Sequence, residues 1–146
     1  MDGEFSDVIY ASDISKIAWK ELENFKLPVK MGLFGCMIFE DRFVIVFGGF
    51  GYKVESKSVY IFDSNKAISD WKWHKLAIEM PNGFAGVCNG LILDKHGIIH
   101  AFKRKKHASI SLSSVLKGSK FEKLKLQAKE EKEEKKEEVI YYLSFI

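Results

Sequence analysis

Cysteine and proline are both scarce, with two of each in 146 residues. Cys36 and Cys88 do not make a disulfide framework, and the expectation is two free, buried thiols in a reducing, cytoplasmic compartment. No apolar run approaches the ~18 residues of a membrane span. The opening residues, Met1-Asp2-Gly3-Glu4, lack the basic and apolar regions of a signal peptide. Charge of one sign is lacking too: the formal net charge is only +3. The segment Lys129–Glu138 holds four Lys and six Glu, and its net −2 leaves +5 on the rest of the chain. The one basic run, Lys103-Arg104-Lys105-Lys106, has no nucleic-acid motif around it and reads as a solvated loop. Neither a membrane nor a nucleic acid is expected as a partner.

Aromatic residues are abundant: they make up 14% of the chain, and 12 are Phe. Aromatic and β-branched enrichment points to strands. Val8–Ser12 and Ala18–Leu22 are short β-prone runs on either side of a turn at Asp13–Ser15. Gly32–Phe39 and Phe43–Phe47 flank the polar Glu40-Asp41-Arg42, which is a hairpin pattern. After Gly48-Gly49 comes a polar loop, Gly51–Lys57. Two further strands are expected, Ser58–Phe62 and Trp71–Ile78, with a turn at Asp63-Ser64-Asn65 between them and Met80-Pro81-Asn82-Gly83 as the exit. The pattern then restarts with Gly86–Leu93 and Ile98–Phe102 around Asp94-Lys95-His96-Gly97. Ser109–Leu116, as strand or short helix, and Phe121–Leu126 follow.

Short strands with frequent turns suit a sandwich, a barrel or a propeller. Periodicity separates them. Asp13 and Asp63 lie 50 residues apart, each after a short β run. Trp19-x-x-Leu22 recurs as Trp73-x-x-Leu76 and, weakly, as Phe121-x-x-Leu124, in steps of 54 and 48 residues. A step of about 50 residues carrying four strands is the pattern of a propeller blade.

The stretch from Arg42 to Pro81 resembles a kelch repeat. Phe43–Phe47 followed by Gly48-Gly49 looks like the second blade strand with the kelch double glycine. Phe62-Asp63, beginning 13 residues after Gly49, stands where the family usually has Tyr-Asp. Trp73, the better fit of Trp71 and Trp73, stands where the family's Trp opens the fourth strand. The resemblance implies an all-β fold of four-stranded antiparallel blades, an incomplete β-propeller. Its units would be 1–28, 29–81 and 82–126, followed by a charged helix or tail and a short apolar terminus over 127–146. Phe47, Phe62 and Trp73 are expected in the core as large aromatics at strand spacing, and Trp19 is the motif residue that shares with Trp73 a Leu three residues on. The third unit lacks the double glycine, with Lys103-Arg104 in its place. These units are too few to close a ring, which takes about four to eight blades. A truncated piece, a self-assembling subunit and a fold other than a ring all stay open.

Catalytic signals are weak. His96 and His100 fall in strand-and-turn sequence, where a four-residue spacing does not bring two ligands to one face. Gly48-Gly49-Phe50-Gly51 lacks the spacing, the lysine and the following helix of a phosphate loop. No cofactor, metal or catalytic residue is assigned. Kelch-type propellers generally bind other proteins through loops at one face, so the resemblance implies a non-catalytic protein-interaction module. Tyr52, Lys53, Glu55, Arg104 and Lys105 are its candidate contact residues, with self-association as a further possibility. The alternative implied by the same family is a fragment of a small-molecule or metal-dependent propeller enzyme.

Overall fold

The computed structural model describes residues 5–13, 18–51, 54–81, 84, 90–103 and 105–123. The described chain is mostly β, in small antiparallel sheets with one short helix, as an all-β expectation requires. Among the described residues no sheet closes on itself. The charged stretch and apolar terminus expected over 127–146 lie outside the described residues, as does Cys88.

β1 (Tyr10–Asp13) and β2 (Ala18–Glu21) form a two-stranded hairpin. β3 (Gly35–Phe39) and β4 (Phe43–Phe47) follow, then a small hairpin of β5 (Phe50–Gly51) and β6 (Val54–Glu55) inside what was expected to be an open loop. β7 (Ser58–Asp63) and β8 (His74–Glu79) complete a four-stranded sheet of order β3-β4-β7-β8. β9 (Leu91–Leu93), β10 (Ile98–Lys103) and β11 (Lys106–Ser111) make a three-stranded sheet with β10 in the middle, and α1 (Leu112–Leu116) follows at once. Ser111 caps α1, its Oγ accepting from the Ser114 amide at 3.1 Å.

β4 is Phe-Val-Ile-Val-Phe without a polar residue, as befits a strand between two neighbours with both faces covered. Phe43, Ile45 and Phe47 point to one face. There they share a core with Val59 and Ile61 of β7, Ile99 and Ala101 of β10, and Leu112, Val115 and Leu116 of α1. Burying each Phe, Ile, Val or Leu among them contributes about 1.5–3 kcal/mol. On the opposite face Phe62 meets Phe25, ring centroids 4.9 Å apart, and Phe25 also stacks on Trp73 and meets Trp71 edge-on, both at 5.3 Å. This aromatic cluster fastens the N-terminal segment to the sheet. Trp73 Nε1 adds a hydrogen bond to the Lys26 carbonyl at 2.9 Å.

Four expectations need correction. The last strand of the middle unit begins at His74, because Ile68–Asp70 takes a 3-10 turn that leaves Trp71 and Trp73 ahead of the strand. Trp73 is half-buried rather than buried, since one side of its ring system stays open beside Phe25 and Phe62. Trp19 is 73% exposed and lies within β2, so it is neither a core residue nor the positional equivalent of Trp73. Among the described residues the third stretch shows three strands and a helix: Ser109–Leu116 divides between β11 and α1, and Phe121 sits in a turn with its ring buried against Phe43 at 5.7 Å.

Candidate interaction surface

The double glycine is where the middle unit departs from its meander. Gly48 and Gly49 have φ of 62° and 114°, the left-handed region where side chains are rarely accommodated. A Cβ on Gly49 would meet Sδ of Met31 at 2.6 Å. This conformation swings the chain out of β4 into the β5–β6 hairpin before it returns through the Gly48 amide, which donates to the Ser58 carbonyl at 2.9 Å. In the third sheet β10 passes directly to β11, with Lys103 opposite Lys106, and no such excursion occurs.

The two loop regions meet. Nζ of Lys103 lies 3.7 Å from Oε1 of Glu55, joining the end of β10 to the base of the β5–β6 hairpin, where Glu55 pairs with Phe50. Glu55 and Lys105, both candidate contact residues, are exposed. Tyr52, Lys53 and Arg104 lie outside the described residues.

Asp63 has a definite task. Arg42 donates from Nε to its Oδ1 and from Nη2 to its Oδ2, each at 2.7 Å, a bidentate clip between the β3–β4 turn and the end of β7. The same carboxylate accepts from the Asn65 amide at 3.1 Å and so shapes the turn after β7. The Arg42 hydrogen bonds hold the Asp63 carboxyl below the ordinary carboxylate range.

A second polar group escaped the sequence reading. Nε2 of His100 lies 3.1 Å from Oδ2 of Asp94, and its Nδ1 lies 3.1 Å from Nε2 of His107. With Asp94 ionised, the consistent assignment has His100 donating to Asp94 and accepting from His107. Phe102 stacks on His107 at 4.6 Å. The signal was in the hairpin register: Phe102 faces His107 and His100 faces Ser109, which sets the two histidines diagonally on one face. Among the described residues no cluster of three or more His, Cys, Asp or Glu could hold a metal ion. No helix among them is long and apolar enough to cross a membrane.

The remaining feature is a cleft of about 320 Å³ beside the Arg42–Asp63 clip. Lys66 and Lys72 border it from the β7–β8 connection, His74 from the start of β8, and Lys120 and Lys123 from the segment after α1. Lys120 donates from Nζ to Nε2 of His74 at 2.7 Å. Burial, reinforced by the charges of Lys120, Lys66 and Lys72, holds the His74 imidazole below its ordinary value. The chain thus offers a loop face, a histidine pair and a lysine cleft; no family model matches it and no curated protein matches it.

Proposed function

We propose that the chain is a non-catalytic protein-interaction module of kelch-repeat type, its three units being successive blades of an incomplete propeller. The observation that supports this best is the meeting of Glu55 and Lys103, at 3.7 Å, across two neighbouring sheets. It brings the ends of β6 and β10 side by side, as they would lie if the loops of successive units shared one face, the arrangement through which repeat proteins engage partners. The unbroken order β3-β4-β7-β8, with the double glycine after its second strand, fits one blade. The hairpin before it and the three-stranded sheet after it would be parts of its neighbours. Completion of the ring by a second copy or by another protein follows from this reading.

The test is affinity capture with the intact chain, followed by calorimetry on each captured protein after purification. At least one should bind saturably and weaken tenfold or more when Glu55→Lys and Lys105→Glu are introduced together. A chain that retains nothing beyond the bare matrix, and sediments as a lone monomer at tens of micromolar, would contradict the proposal.

A further inference from the structure

The lysine cleft is not explained by a propeller blade. Its charges come from three separate stretches of sequence: Arg42 on the β3–β4 turn, residues 63–74 around the β7–β8 connection, and Lys120 and Lys123 after α1. Five cations face two carboxylates there, Asp63 and Asp70, an excess of three positive charges with His74 neutral. One of the five is already committed, because the Arg42 guanidinium spends Nε and Nη2 on Asp63. Among the described residues no carboxylate lies within ion-pair distance of Lys66, Lys72, Lys120 or Lys123. Among the described residues, folding therefore brings like charges together around a cavity with no ion-pair partner for these four lysines, Lys66 acting on Asp63 only at longer range. Such an arrangement costs free energy that a bound anion returns.

The details indicate which anion. His74 serves as an acceptor for Lys120, so its Nε2 carries no proton, and the ring lies beside Phe121 at a centroid distance of 5.4 Å. An anion drawing Lys120 toward itself would free Nε2 to take up a proton and become a further donor. A site with four ammonium groups that lack a carboxylate partner, one of them held by His74, and one latent imidazolium matches a dianion better than a single carboxylate. Its size suits one group on a side chain and not a run of nucleotides, whose recognition needs cations spaced along a track.

We propose that this cleft binds a phosphate monoester displayed on a partner protein, with Lys66, Lys72 and Lys120 as its counter-charges and the Arg42–Asp63 clip as a fixed wall. The protein carrier rests on the interaction-module reading; the anion site stands without it.

The experiment is an NMR titration of the full chain, following the His74 ring at constant ionic strength. The probes are inorganic phosphate, a phosphoserine peptide with its unphosphorylated counterpart, a single-stranded oligonucleotide, and vesicles containing a phosphoinositide. Inorganic phosphate should shift the His74 signals saturably toward those of an imidazolium, and the phosphopeptide should bind at least tenfold tighter than the unphosphorylated peptide. Lys120→Gln, which removes the charge from an exposed position, should weaken both at least tenfold. Lys66→Ala should weaken both severalfold, and Lys95→Ala, in the β9–β10 turn, should leave both unchanged. Unmoved His74 signals, or equal losses in all three variants, overturn the anion site while leaving protein binding untouched. Phosphate binding without a gain for the phosphopeptide, or tighter binding of the oligonucleotide or vesicle at the same residues, overturns the protein-borne source.

Discussion

Arg42 and Asp63, 21 residues apart, are joined by two parallel hydrogen bonds of 2.7 Å that close the end of the β4–β7 pair. The Arg42 side chain is 36% exposed, so solvent screens part of the attraction. Asp63→Asn is expected to cost about 1–2 kcal/mol at neutral pH, measured by chemical denaturation. Because Arg42 lowers the Asp63 pKa in the folded chain, the unfolded chain takes up the proton more readily. The contribution is complete above about pH 4. It fades as pH falls through the lowered folded value. The gap between parent and Asp63→Asn should therefore narrow in strong acid; a constant gap would show that the pair adds no pH-dependent stability.

Trp73 and Trp19 should behave differently. Trp73→Ala removes a half-buried ring that touches Phe25 and Phe62, and about 2–3 kcal/mol should be lost, less than for a fully enclosed Trp. Trp19→Ala should stay within about 0.5 kcal/mol of the parent. Urea midpoints of the two variants decide this, and equal losses would contradict the packing described.

Gly49→Ala meets both an unfavourable φ and the Met31 thioether, so a loss of about 1–3 kcal/mol is expected. Gly118→Ala meets the left-handed conformation alone, with nothing within 4 Å of the added carbon, and about 1 kcal/mol is expected. Melting curves of both variants test the order. A Gly49→Ala protein as stable as its parent would mean that the chain does not turn sharply there.

Burial pushes the Cys36 thiol up to about 11. In a Cys88→Ala background, iodoacetamide at pH 8 should alkylate folded Cys36 about a hundredfold more slowly than the urea-unfolded chain, because the thiolate reacts and its fraction falls with rising pKa. Comparable rates in the two states would place this thiol in water.

The middle sheet was largely legible in the sequence. Phe43–Phe47 could hardly be anything but a central strand, and a polar triplet before it with a double glycine after it marked both ends. The Asp94–Gly97 turn was legible for a similar reason: an Asp that caps its own turn precedes a Gly at φ 75°. Local chemistry decides such features. Trp19 misled because its strand belongs to a hairpin with too little around it to cover the ring, and exposure is not a local property. The lysine cleft was illegible for the same kind of reason. Lys66 and Lys120 are 54 positions apart, and only the packing of α1 and Phe121 onto the central sheet makes them neighbours.

The aromatic cluster at Phe25 gives the protein an internal optical gauge. Its three tryptophans divide into one in open water, Trp19, and two, Trp71 and Trp73, that meet Phe25. Iodide should quench the first freely and the half-buried other two more weakly until the N-terminal segment lifts away from the sheet. Emission from a Trp19→Phe protein would then report on Trp71 and Trp73, which touch both Phe25 and Phe62. An event that peels the segment off without melting the β4–β7 pair would appear as a red shift ahead of the main transition, and its detachment could be timed with no label added.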